Sequence, residues 1–120
     1  MYEKESLKVN DDKAGFSFII KNSIANGNVV EVYLLKVNDI EEIPFTDITI
    51  KNETQEMTAD QISINNPIEL KKGVATIFNV KKNQLEDLID KEIKIHMKFK
   101  VQVRDSKMTI DFDFQDELKS

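Results

Sequence analysis

The sequence predicts an all-β, antiparallel β-sandwich of Greek-key type, with seven to nine strands and one short connecting helix. Three observations lead there. Apolar and polar residues alternate with period two in several separate runs, as strands with one buried face require. Turn-forming residues interrupt those runs at short intervals. Residues 91–115 read as a hairpin in which apolar and ionic partners match at one register. The 120 residues are expected to form one domain spanning 1–120, long enough to bury a core without covalent staples.

Taken in order, Leu7 and Val9 suggest a short first strand that ends at Asn10-Asp11-Asp12. Between Gly15 and Asn22, Phe16, Phe18 and Ile20 share one face, while Ser17, Ile19 and Lys21 share the other. Asn26-Gly27 follows, a strong hairpin signal because both positions of a type I′ turn need positive φ. Asn28 to Asn38 is the returning strand, rich in β-branched residues. That turn pairs Ile20 with Tyr33, Phe18 with Leu35 and Phe16 with Val37 on the core side, and Ile19 with Leu34 on the reverse. Apolar residues on both faces make Ile19, Val30, Val32 and Leu34 the candidate partner-binding face.

Ile40 to Phe45 is a connection holding Pro44, and Asp47 to Lys51 is a strand. A polar loop runs from Asn52 to Asp60, Ile62 and Ile64 give a short strand, and Val74 to Val80 gives another after the turn at Gly73. Lys81 to Asp90 reads as the connecting helix: Asn83 as N-cap, Glu86 at the capping-box position, and Leu85, Leu88 and Ile89 as an apolar edge. In the final hairpin, Ile93, Ile95, Met97, Phe99, Val101 and Val103 alternate with Lys94, His96, Lys98, Lys100, Gln102 and Arg104. With Asp105-Ser106 as the turn, Val101 faces Ile110, Phe99 faces Phe112, Lys100 faces Asp111 and Lys98 faces Asp113.

Composition excludes much chemistry. With no cysteine there are no disulfides, thiolate metal sites or cysteine nucleophiles, although the compartment stays open. The single histidine, His96, sits in the polar half of an alternating strand and reads as a sheet-face residue. A net charge of −5 disfavours phosphate-backbone binding, and no aromatic is expected among Lys94, Lys98, Lys100 and Arg104. Asp111 and Asp113 share a strand face but face lysines, which argues against calcium. Asn52-Glu53-Thr54 fits the N-glycosylation pattern. No stretch reaches the roughly 20 apolar residues of a membrane span, and Met1 to Val9 lacks the apolar core of an export signal. The chain is expected to be cytoplasmic if full length and extracellular if a mature fragment. No catalytic residue, cofactor, metal or small-molecule site is expected.

The run Phe16 to Asn22, then Asn26-Gly27, then Val29 to Asn38, resembles the opening strands of immunoglobulin-like modules of prokaryotic surface and assembly proteins. Pro67-Ile-Glu-Leu70 and Gly73 to Val80 are similar to the stretch in those modules where a leucine and a glycine introduce a strand. The resemblance spans roughly residues 14–104. It implies an immunoglobulin-like sandwich used in adhesion, spacing or assembly, with no catalytic residues to transfer. The expected function is a non-enzymatic structural or protein-interaction module, an appendage of a larger assembly with a protein partner or self-association. Alternatives are a small acidic regulator that binds a basic partner, and a carbohydrate- or calcium-dependent binding module.

Overall fold

The computed structural model describes residues 2–23 and 25–120. Among the described residues ten strands form two sheets: β1 (Lys8–Val9), β2 (Gly15–Lys21), β3 (Gly27–Val37), β4 (Glu41–Glu42), β5 (Ile48–Lys51), β6 (Glu56–Thr58), β7 (Ile68–Leu70), β8 (Ala75–Lys81), β9 (Glu92–Val103) and β10 (Ser106–Glu117). The first sheet runs β1-β2-β8-β5-β6 and the second β10-β9-β3-β4, with β7 also on β3. Every strand-to-strand ladder is antiparallel. The all-β sandwich is therefore what the residues build. Among the described residues helix is confined to two 3₁₀ turns, Phe45–Asp47 and Ala59–Gln61. Among the described residues no helix is long and apolar enough to cross a membrane.

The core lies between the sheets. The first contributes Phe16, Phe18 and Ile20 from β2, Ile48 and Ile50 from β5, and Phe78 and Val80 from β8. The second answers with Val29, Leu35 and Val37 from β3 and Ile93, Ile95, Met97 and Phe99 from β9. Phe18 stacks on Phe78 with centroids 5.3 Å apart. Gly15 has no room for a side chain, because a Cβ there would lie 2.0 Å from the Val80 carbonyl oxygen across the β2–β8 ladder.

The expected Asn26-Gly27 hairpin does not form. β2 pairs with β8 and β1, β3 pairs with β9, and the chain crosses from one sheet to the other between them. Neither Asn26 nor Gly27 takes the positive φ that a type I′ turn needs. Side chains fasten the crossing instead: Asn22 Nδ2 donates to the Leu70 carbonyl at 3.0 Å, and Asn26 Oδ1 accepts from the Lys72 N–H at 2.8 Å. Gly27 is small for another reason, since a Cβ there would meet Val101 and Val103 side-chain carbons at 3.1 Å.

The apolar residues on both faces of β3 also have a different cause. Two irregularities interrupt its ladder with β9, between Val29 and Glu31 and between Val32 and Leu34. Each inserts one residue, which shifts the face the next residue presents. Val29, Val32, Leu35 and Val37 thus align with Val101, Phe99, Met97 and Ile95. Glu31 and Leu34 align with the outward Lys100 and Lys98, and Val30 is buried at the first bulge.

Three further expectations are corrected. Residues 82–91 contain turns and no α-helix, and Gln84 (φ 59°) and Asp90 (φ 65°) adopt left-handed backbone at either end. One turn between such breaks cannot propagate, although Leu85 is still buried and Leu88 and Ile89 pack on the core. Ile62–Ile64 is not a strand, whereas Glu56–Thr58, read as loop, pairs with β5. The final hairpin is shifted by two residues: Arg104 (φ 57°) and Asp105 form the turn, so Ile110 faces Phe99 and Phe112 faces Met97. A two-residue slip keeps every side chain on its face, and Phe99 still meets Phe112 diagonally, edge to face at 6.1 Å.

The N-terminal segment closes one end. Tyr2 stacks on Phe114 with centroids 3.7 Å apart, and its hydroxyl donates to Asp116 Oδ2 at 2.7 Å. Burial first, then that hydrogen bond, pushes the Tyr2 phenol up to about 12. Burial also pulls the Asp116 carboxyl upward. Tyr2, the N–H groups of Glu5 and Glu117 and the charge of Lys119 outweigh it and hold that carboxyl below its ordinary range.

These contacts generate three predictions. Phe99→Ala, at a fully buried position, should cost about 3–5 kcal/mol in chemical denaturation, while Lys98→Ala should change stability by less than about 1 kcal/mol. Phe112→Ala, on the half-buried edge strand, should fall between them. Gly15→Ala should destabilise by about 1–3 kcal/mol or more, because backbone must move to admit the methyl group. Tyr2→Phe should narrow the stability–pH plateau. The lowered Asp116 contributes above its unfolded value of 3.8 and loses that contribution as pH falls through its folded value. The raised Tyr2 contributes fully below 10.0 and loses that contribution as pH rises through about 12. Melting temperatures of the two proteins should differ most between those limits, and a difference independent of pH would contradict the assignment.

Candidate functional site

The four residues expected to form a partner-binding face are not brought together. Ile19 lies in β2 of the first sheet, opposite Ile77 on its outer side, where Ile77 is 39% exposed. Val30, Val32 and Leu34 belong to β3 of the second sheet, with Val30 buried, Val32 packed against the core and Leu34 in register with Lys98.

The outer face of the second sheet gathers the polar residues of β9, β10 and β3. His96 Nε2 lies 2.6 Å from Asp111 Oδ1, diagonally across the ladder from its directly opposed partner Asp113. Lys94 Nζ is 2.9 Å from Asp39 Oδ2 and 3.5 Å from Asp113 Oδ2. The Asp39 hydrogen bond, followed by its charge, pushes the Lys94 ammonium upward. Lys98 and Lys100 stand 6.0 and 5.9 Å from the Tyr33 ring centroid. The Tyr33 hydroxyl is the main cause that raises Lys100. Tyr33 was expected in the core opposite Ile20, but the second bulge brings it out among the lysines, so that face does carry an aromatic. The arrangement pairs charges on an open sheet; it does not converge them on a point where a substrate atom would sit.

A groove of about 1180 Å³ lies on the outer side of the first sheet. Thr49, Ile77 and Asn79 help form its floor, and residues 10–14, 41–47 and 82–84 form its walls. Asn10 Nδ2 donates to Asn79 Oδ1 at 3.0 Å, and Lys82 pairs with Glu41 across one rim. Acidic Asp11, Asp12 and Asp47 alternate there with Lys51 and Lys81. Among the described residues no three His, Cys, Asp or Glu side chains are placed to hold a metal ion. Sequence reasoning missed the groove because its walls come from three loops distant in the chain. The Asn52 side chain is itself structural: Oδ1 accepts from the N–H groups of Thr54 and Gln55, and Nδ2 donates to the Glu69 carbonyl.

The remaining feature is the edge strand. Among the described residues β10 has a strand neighbour on one side only, and it is twelve residues long. On its inner face Met108 is 47% exposed, and Ile110, Phe112 and Phe114 are half-buried. The N-terminal segment reaches only the far end, at Phe114, Asp116 and Lys119. From Ser106 to Asp113 a backbone edge and a partly uncovered apolar strip run side by side. Edges of this length are normally blunted or covered.

Comparison with known proteins corrects the family. Residues 1–118 match the family model of hydroxymethylglutaryl-CoA reductase, N-terminal domain. No curated protein matches the chain. The resemblance to immunoglobulin-like surface and assembly modules is overturned. Its motifs report strand spacing common to many sandwiches, and its central turn, Asn26-Gly27, is a crossing between sheets. The matched domain is a non-catalytic region of the reductase. The chain belongs to the hydroxymethylglutaryl-CoA reductase N-terminal domain family.

Proposed function

We propose that this chain is a non-enzymatic domain that acts by protein contact, with the free edge of β10 as its working surface. The observation that carries this reading is the combination of an unpaired strand edge with the uncovered apolar side chains Met108, Ile110 and Phe112. Such an edge offers main-chain hydrogen bonds for affinity and alternate side chains for specificity. Two further points support it. The residues most capable of acid–base work, His96, Asp111, Lys94 and Asp113, are engaged with one another across the sheet. The family is defined on a part of the reductase that does not carry its chemistry.

The test is an assay of the isolated chain with hydroxymethylglutaryl-CoA and a reduced nicotinamide as hydride donor. Oxidation of the nicotinamide should not exceed the protein-free rate at any protein concentration. A rate that scales with the chain and disappears on heat denaturation would contradict the non-enzymatic reading.

A further inference from the structure

The sequence of β10 specifies its own partner. We propose that two copies of this chain pair through the Lys107–Asp113 part of β10, antiparallel about a two-fold axis at Ile110, joining their second sheets into one. This inference rests on the reading of β10 as a contact edge and names the occupant of that edge.

The argument begins with the turn. The Arg104-Asp105 loop has two residues, so its closing hydrogen bond joins Val103 and Ser106. Alternation along an antiparallel ladder then directs the N–H and C=O of Met108, Ile110 and Phe112 toward β9. Those of Lys107, Thr109, Asp111 and Asp113 point away from it, toward open solvent. These four residues also carry their side chains on the outer sheet face, where Lys107 is exposed and Asp113, 3.5 Å from Lys94, keeps 57% of its side chain exposed toward a second strand.

A two-fold pairing leaves few registers, and charge selects among them. With the axis at Ile110, Lys107 faces Asp113 of the second copy, twice by symmetry, and Thr109 faces Asp111. On the inner side Met108 faces Phe112 and Ile110 faces itself, so the partly uncovered apolar strip is closed by its own copy. With the axis at Asp111, that carboxylate faces itself. With the axis at Phe112, Asp111 faces Asp113. With the axis at Thr109, Lys107 faces Asp111, but Phe112 faces Ser106 and the apolar strip stays partly open. Like charges directly opposed across a ladder destabilise it, which rejects the Asp111 and Phe112 registers, and of the remaining two only the Ile110 register also sets Met108 against Phe112. The strand beyond it is already taken, since Tyr2 covers Phe114 and the N-terminal segment binds Asp116 and Lys119.

Sedimentation of the 120-residue chain at about 0.15 M salt tests the inference, because a Debye length of about 8 Å screens the net charge of each copy more than the contact pairs. The wild-type chain should dimerise with concentration. Lys107→Asp alone opposes two pairs of carboxylates and Asp113→Lys alone opposes two pairs of ammonium groups. Each single variant should self-associate about tenfold or more weakly than wild type. An equimolar mixture of the two variants restores both opposite-charge pairs and should dimerise as wild type does, which no loss of folding can imitate. A wild type that stays monomeric at millimolar concentration, single variants that dimerise like wild type, or a mixture no stronger than its components would each overturn the proposal. A monomeric chain without reductase turnover removes the second copy as occupant and leaves the non-enzymatic reading intact; turnover removes that reading instead.

Discussion

Strand β9 is the constraint on which the second sheet depends. Its twelve residues alternate without a break, with Ile93, Ile95, Met97 and Phe99 buried between the sheets and Lys94, His96, Lys98 and Lys100 turned outward. Strands β3 and β10 both take their register from it. β3 accommodates by bulging twice, which accounts for its mixed faces, the burial of Val30 and the appearance of Tyr33 among lysines. β10 follows β9 without irregularity along its whole length, and for that reason its other side stays straight and available. At roughly 3.3 Å per residue, a twelve-residue strand spans about 40 Å. That nearly matches the 43 Å long axis of the molecule, so the hairpin runs its full length.

The parts of the fold legible in the sequence were those decided by period-two alternation within one segment. Phe16, Phe18 and Ile20 are buried as read, and the apolar and polar faces of β9 and β10 are assigned as their alternation demands. Register is a different matter, because a slip of two residues leaves every face unchanged. It is set by the left-handed backbone of Arg104, which no pattern of apolar residues reports. Asn26-Gly27 carried a strong local hairpin signal, yet β2 pairs with β8 and β3 with β9, so the two strands lie in different sheets. Asn22 then served the crossing by bonding to the Leu70 carbonyl. The helix expected around Leu85 failed because its apolar edge was legible and the backbone breaks at Gln84 and Asp90 were not.

The candidate sites were less legible than the fold. Ile19 and Leu34 were placed back to back on the strength of one turn, and losing that turn put them in different sheets. The groove near Asn79 draws on loops far apart in the chain, so no local pattern marks it. The β10 edge was half visible: Ile110 and Phe112 were read as core, but that a second sheet does not fully cover them depends on the packing of the entire sandwich.

The claim that β9 is the central organiser and β10 an open edge is tested most directly by amide hydrogen exchange in dilute solution. Slow exchange should run along β9 and alternate along β10, with the amides of Met108, Ile110 and Phe112 protected and those of Thr109, Asp111 and Asp113 fast. Uniform protection of β10 at high dilution, or an alternation of the opposite phase, would contradict this account.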